Sequence, residues 1–404
     1  MHFFSSFRRS SAHIAVAAGV AASTLVSLPA PAAAAGSAPP PRVSVFAVVA
    51  GNEPAGVYTD LSLLAFHSSV SLDLPAHVRH DATGRYAVYF SGPDLGTVPT
   101  AGLHVRAMTD GNCMPFDGIT PSRHPGLQID VACFDSAGRP ADRRFTIAYN
   151  ARGAAHGALV TAATAPGAMS SDWRVAEPQD TGGAARVAYT HPSPGLYTFD
   201  LPYLPGTAPE SFATTALAPI AEAGTGRIPN VVCGTTGRAL IPGDAGPVRQ
   251  ISVTCRDAVT GQMAPGGTRI HVGYTRGVNL TGASGVSEAY FTAPWISTNS
   301  RVVLPDSAVH DPGPVTTGAV AVQRHAVGQY TVDIANQEGT IGYASIVATA
   351  NGSTALCRAS VPDPDRPGHL SVVCRSDAGQ MDTGFHLHFV SRKLRLRLSP
   401  LAGL

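Results

Sequence analysis

Charge is scarce in this chain. Asp, Glu, Lys and Arg supply 14% of its 404 residues, and the formal net charge is +1. A nucleic-acid partner needs a basic face that neutralises phosphates, and no such excess is present. Lysine is almost missing, with Lys393 alone among many arginines. Together with the abundance of Ala, Gly and Pro, this reads as coding bias without functional meaning. Beyond Leu28 no run is apolar for the ~20 residues that a bilayer span requires. Catalytic and metal signatures are missing too. Gly282-Ala283-Ser284-Gly285 falls one position short of a Gly-x-Ser-x-Gly elbow, and no His-Glu-x-x-His pair occurs. Cys-x2-Cys pairs are absent, which argues against structural zinc. No cofactor is implied.

What is present begins with an export leader. Arg8 and Arg9 precede an apolar run from Ile14 to Leu28, and small residues follow to Ala35. A charged start, a short apolar core and an Ala-rich end describe a secretory signal peptide, expected over residues 1–35. A Pro-rich linker is expected at 36–41. The remaining chain of roughly 365 residues suits two or three ordinary domains.

One pattern is written three times. A Gly-x-Tyr step is followed by a cysteine and then by Val-x-Cys. The copies are Gly84-Arg85-Tyr86, Cys113 and Val131-Ala132-Cys133; Gly195-Leu196-Tyr197, Cys233 and Val253-Thr254-Cys255; and Gly328-Gln329-Tyr330, Cys357 and Val372-Val373-Cys374. Repetition of this kind is the mark of a self-similar structural unit. Paired, widely spaced cysteines in an exported chain read as disulfides. Six cysteines allow many connectivities, and the recurring order singles out Cys113–Cys133, Cys233–Cys255 and Cys357–Cys374. Each bond would restrict the unfolded chain by about 3 kcal/mol for a loop of ~20 residues.

Between the cysteines the periodicity is two. Arg85 to Phe90, Tyr197 to Leu201 and Tyr330 to Ile334 alternate polar and apolar residues, the mark of half-buried strands. Asp135 to Gly138, Asp257 to Gly261 and Ser376 to Gly379 read as turns in which Asp bonds nearby backbone and Gly takes positive φ. Strands ending in Tyr149, Tyr274 and Phe389 close each copy. Many short strands with Gly/Pro turns and no helical stretch predict an all-β protein. Its expected units are tandem β-sandwich or small-barrel domains, of about six or seven strands with one internal disulfide each. The domains are expected at 42–150, 151–276 and 277–393, with a tail at 394–404. Each cysteine pair is expected on an antiparallel hairpin, tied near its open end or across two sheets.

These residues resemble repeats of secreted bacterial proteins of uncharacterised function, mostly from actinomycetes. The first copy carries the likeness through Gly84, Tyr86, Val88, Cys113, Val131, Cys133, Phe134, Asp135, Gly138, Asp142, Phe145 and Tyr149. The third keeps Gly328, Tyr330, Val332, Cys357, Val372, Cys374, Gly379, Asp382 and Phe385. The second departs, with Pro265-Gly266-Gly267 where the Asp would stand and a longer excursion, Pro219 to Pro229, before Cys233. The resemblance implies export and a β-domain array, and brings no reaction.

His77 and His80 read as solvated turn residues. His386 and His388, on one face of the last strand, could hold a metal with a third ligand; an outward polar face is the preferred reading. Asp363 and Asp365 fall short of the oxygen set that Ca²⁺ needs. Asp135 with Asp142, and Asp377 with Asp382, could pair for glycoside cleavage, yet their recurrence at turns favours a turn or capping role. Trp173, Trp295, Tyr290 and Phe291 could stack on sugars, but core packing is the commoner use of such rings. The tail from Lys393 to Leu398 reads as a terminal strand or frayed end.

The expectation is a secreted, extracellular, non-enzymatic protein that binds a protein, a glycan or a cell surface, with no nucleic-acid partner and no integral membrane segment. A hydrolase with its cleft in the second unit is the alternative. A protease inhibitor using a loop from Met114 to Gly126 is a further one.

Overall fold

The computed structural model describes residues 43–392 apart from 62–65, 69–74, 93–100, 110, 122–125, 152–156, 163–187, 204–209, 218–227, 244–245, 265–267, 277–285, 306–308, 311–319, 336–343, 352, 354, 361–367 and 377–378. The expected leader, linker and tail lie outside the described residues, as do Trp173, Gly282 to Gly285, Asp363, Asp365 and Asp377.

No helix occurs among the described residues, and the alternating segments are strands. Up to residue 151 these are β1 (Val43–Val49), β2 (Tyr58–Asp60), β3 (Phe66–Ser68), β4 (Ala76–Ala82), β5 (Arg85–Ser91), β6 (Ala101–Ala107), β7 (Asn112–Pro121), β8 (Gly126–Phe134) and β9 (Phe145–Ala151). To residue 276 follow β10 (Gly157–Ala162), β11 (Ala188–Ser193), β12 (Leu196–Pro202), β13 (Glu210–Leu217), β14 (Val231–Gly243), β15 (Gly246–Asp257) and β16 (Arg269–Arg276). The rest are β17 (Val286–Ala293), β18 (Arg301–Val303), β19 (Val309–His310), β20 (Val320–Ala326), β21 (Gln329–Ile334), β22 (Ala344–Asn351), β23 (Leu356–Ser360), β24 (His369–Ser376), β25 (Gly379–Gln380) and β26 (Gly384–Arg392). A loop between β17 and β18 interrupts the stretch from Ala289 to Val303.

One strand order recurs. The cysteine-bearing sheets run β2-β4-β5-β8-β7, then β11-β12-β15-β14, then β18-β20-β21-β24-β23. The second set runs β3-β1-β9-β6, then β10-β16-β13, then β19-β17-β26-β22. Two of these join into one longer sheet through a single parallel pairing, Thr235 with Asn351. The strand that leads to each first cysteine does not continue its sheet: β6 leaves β7 and pairs with β9.

Three large buried clusters fill the interior among the described residues. In the first, Val45, Ala47 and Val49 of β1 meet Val88 and Phe90 of β5, so residues of both sheets share one core. Tyr197, Phe199, Val253, Val272 and Tyr274 belong to the second, which also takes Met114 and Phe134 from the first stretch. Tyr330, Val332, Leu387 and Phe389 belong to the third, with Val48 and Met108 added. Fully burying a large apolar side chain stabilises by roughly 1.5–3 kcal/mol, so these interlocking cores bind the stretches to one another as well as internally.

The disulfides follow from backbone bookkeeping. The N–H of Cys133 donates to Gly84 O (2.7 Å), and the Cys133 carbonyl accepts from Ala141 N (3.1 Å). Cys255 makes the same bonds with Gly195 and Ala264, and Cys374 with Gly328 and Met381. Each second cysteine therefore spends both backbone groups on one side. Across the other side it faces its partner in a non-hydrogen-bonded pair, the register in which Cα atoms come closest, near ~4.5 Å. The observed Cα separations are 4.1, 4.1 and 4.0 Å for Cys113–Cys133, Cys233–Cys255 and Cys357–Cys374. All three bonds tie antiparallel neighbours directly opposite one another.

The glycine of Gly-x-Tyr is needed for that approach. Gly84, Gly195 and Gly328 have φ of 68°, 70° and 66°, the left-handed region that glycine enters freely. A Cβ at any of them would also run into the carbonyl oxygen of the second cysteine. Gly56 has similar φ (76°) with nothing near its missing Cβ. Gly328→Ala is expected to lower the unfolding free energy by more than about 1 kcal/mol, and by more than Gly56→Ala does. Urea midpoints measure this, and equal losses would contradict the close approach.

Candidate functional site

Two carboxylates anchor the Gly-x-Tyr turns. Asp142 Oδ1 accepts from Gly84 N (2.7 Å) and from Tyr86 Oη (3.0 Å). Asp382 accepts from Gly328 N (2.8 Å), Tyr330 Oη (3.2 Å) and both Nε (2.9 Å) and Nη2 (2.7 Å) of Arg324. His80 stands where Arg324 does, opposite the tyrosine on the neighbouring strand, with Nε2 3.0 Å from Asp142. The second stretch lacks this carboxylate at its Pro265 to Gly267 departure, and Tyr197 Oη donates to Thr268 O instead (2.6 Å). Asp135 and Asp257 serve their own turns through bonds from residues two to four further on. The Arg324 bonds hold Asp382 below its usual pKa. Burial, with the Asp382 charge nearby, raises Tyr330 to about 12.

His77 and His80 lie on strand β4 and not in a turn. Both meet carboxylates, His77 Nδ1 at 2.7 Å from Asp60 and His80 from Asp142. A second correction concerns β26. His386 and His388 were expected on an outward polar face, yet they are 1% and 5% exposed. Phe385, Leu387 and Phe389 point into the third core, so alternation puts both histidines on the opposite face. Another sheet covers that face. His104 of β6 and His271 of β16 occupy matching outer positions and are buried as well. His104 lies within electrostatic reach of Arg106, His271 and His388. Burial lowers His386 to about 3, with the Arg238 charge adding to it, and holds His104 well below the ordinary histidine value. Thr292 Oγ1 lies 2.9 Å from His386 Nδ1. No group of three metal-ligating side chains suited to an ion occurs among the described residues.

Tyr290 and Phe291 are buried, whereas Trp295 is 66% exposed. The expectation of a core ring fails for Trp295 because it sits in the loop between β17 and β18. The segment proposed as an inhibitor loop is also different: Met114 is buried and residues 114–121 form strand β7 paired with β8. A rigid exposed loop does not begin there.

The turn ends of the three stretches meet around a cleft of about 390 Å³. Thr109 and Gly111 come from the first stretch, the Asp257 to Gly261 turn from the second, and Arg358 and Arg375 from the third. Polar bonds fix this junction. Asn112 Nδ2 donates to Asn230 Oδ1 (2.8 Å) and Val231 O (3.2 Å), and Arg358 Nη1 donates to Gly111 O (2.6 Å). Asn112, Asn230 and Arg358 carry no motif and Asp257 to Gly261 read only as a turn, so sequence reasoning missed the site. Compared with protein-family models and with curated proteins, the chain matches none.

Two acid effects separate by pH. Unfolded histidine takes up protons below about pH 6.5, while buried His386 resists down to about 3. Stability therefore falls as pH drops through that window, by about 1.4 kcal/mol per pH unit per such histidine. Asp382, depressed by Arg324, contributes stability that is lost only below the ordinary carboxylate range near ~4. Chemical unfolding from pH 7 to 4 is expected to show a steady loss that His386→Gln makes shallower. A flat profile for the natural chain would contradict the buried histidines. At pH 7, Asp382→Asn is expected to lower the melting temperature, because it leaves Arg324 inside without its charge partner; an unchanged melting temperature would contradict the anchoring role.

Proposed function

We propose that this is an exported, non-enzymatic protein of three tandem β-sandwich domains, at 42–150, 151–276 and 277–393, that binds an extracellular protein, glycan or cell surface. Support for the domain reading is the recurrence of one strand order and one glycine–cysteine arrangement. The disulfides suit an oxidising compartment, and no helix among the described residues is long and apolar enough to cross a membrane. The resemblance to repeats of secreted actinomycete proteins agrees with both.

The observation that carries the binding reading is the cleft at the junction. Its walls come from turns of all three domains, so its shape depends on the whole assembly. Binding residues favour loops held by a rigid scaffold, and concave sites favour interfaces between domains. The scaffold residues repeat while the cleft residues differ from one domain to the next, as a surface specialised for one ligand requires.

A glycan array and a pull-down from extracellular material, both with the oxidised mature chain, test the reading. Saturable retention of one ligand class is expected, without turnover of ester, peptide or glycoside substrates. Turnover with no retained ligand would overturn it.

A further inference from the structure

We infer that the outer face of sheet β2-β4-β5-β8-β7 is a second binding surface, and that its ligand is a neutral saccharide of two or more rings. The inference rests on the reading of the chain as an extracellular binder, but it puts a ligand on a surface other than the cleft.

Ala76, Val78, Val88, Phe90, Leu127 and Ile129 belong to the first core. Alternation therefore turns His77, Arg79, Ala87, Tyr89, Gln128 and Asp130 to the other face. Pairing sorts them into two lines across the strands. Asp60, His77, Tyr89 and Gln128 stand opposite one another in turn, and so do Tyr58, Arg79, Ala87 and Asp130. Side chains opposed directly or diagonally in this way reach one another, and here three of them are rings. Tyr58 and His77 meet edge-on with centroids 6.5 Å apart; His77 and Tyr89 lie 18° from parallel at 6.1 Å. The row opens to water at its β2 end, where Tyr58 is 48% exposed.

The other two stretches show that the scaffold does not depend on these rings. Registers matched on Tyr86, Tyr197 and Tyr330 align His77 with Ala188 and Ala321, and Tyr89 with Asp200 and Asp333. The counterpart of Tyr58 in the third stretch is Arg301. The first stretch thus gathers rings at neighbouring positions that are small or charged elsewhere. Ring surface gathered where it meets water marks an interaction site.

The polar groups between the rings favour a saccharide. Arg79 lies over the Tyr58 ring at 5.0 Å, donates to its hydroxyl (3.1 Å) and pairs with Asp81. His77 Nδ1 stands 2.7 Å from Asp60, and Gln128 Nε2 donates to Asp130 (3.0 Å). His77 with Asp60 and Arg79 with Asp81 each set opposite charges together, which gives a polyanion little to gain. Polar side chains also divide the rings, so the face lacks the continuous apolar anchor pocket of a protein hot spot. A sugar ring suits this pattern. Its C–H bonds are attracted to the negative face of an aromatic ring. Its hydroxyls donate and accept, as a surface of carboxylate, amide and guanidinium groups requires. Three rings in a row engage more than one sugar unit.

Calorimetric titration of the full oxidised chain with cellohexaose, chitohexaose, maltohexaose and polyphosphate tests this. Binding of at least one of the three neutral sugars is expected, tighter than that of polyphosphate. The affinity should fall at least tenfold in Tyr58→Ala and in Tyr89→Asp, which installs the residue of the other two stretches, and should be unchanged in Arg375→Ala at the cleft. If Tyr89→Asp lowers the melting temperature, Tyr58→Ala at its exposed edge position decides. No binding of any of the three sugars, binding indifferent to Tyr58→Ala, or tighter binding of polyphosphate would overturn the inference. If a sugar is lost in Arg375→Ala and kept in Tyr58→Ala, or if the array or pull-down captures a partner while no hexasaccharide binds, the binding reading stands and this second surface does not.

Discussion

The backbone of the second cysteine in each pair governs the rest of this structure. Its N–H and carbonyl are both engaged by the Gly-x-Tyr turn and the strand entry beyond, which leaves the opposite edge free of hydrogen bonds and brings the partner cysteine close. A glycine at left-handed φ is the residue that lets the turn approach that carbonyl. The tyrosine two positions later is then carried into the core, where its hydroxyl needs a partner: a carboxylate in the first and third stretches, a carbonyl in the second. One local constraint thus connects a turn, a covalent bond, a buried ring and an anchoring carboxylate.

The same constraint places the cleft. The residues beside each cysteine point away from the core, and the turns beyond them project from the end of the sheet. Arg358 and Arg375 flank Cys357 and Cys374 in this way, and the Asp257 turn follows Cys255. When the outer faces of the second sheets pack together, these ends converge. That packing buries His104, His271, His386 and His388. The cost is sensitivity to protons, since charged imidazolium is poorly accommodated away from water.

Much of the fold was legible in the sequence because its signals are local. Alternation marked β5, β12 and β21, turn residues marked Asp135 to Gly138, and the triple order of Gly, Tyr and Cys fixed the disulfide partners. The opening strands of the three stretches hid a shared role: β1, β10 and β17 occupy matching places in their sheets although their residues align poorly. Burial on two sides was not legible either. A period of two says that His386 and His388 share a face, but not whether water or another sheet covers it. The crossing of β6 to the opposite sheet depends on a long-range choice of partner, β9, about which its own residues are silent. Asp142 lies 58 residues from Gly84, so its anchoring bond had no short-range trace. The cleft draws on three distant turns, and no window of sequence contains it.

Non-reducing peptide mapping of the oxidised chain tests the central claim most directly. Cleavage at arginine opens each loop, at Arg123, at Arg238 and Arg249, and at Arg358. The account predicts cross-linked peptide pairs joining Cys113 to Cys133, Cys233 to Cys255 and Cys357 to Cys374, and no others. Bonds between different pairs, or thiols open to alkylation before reduction, would contradict it.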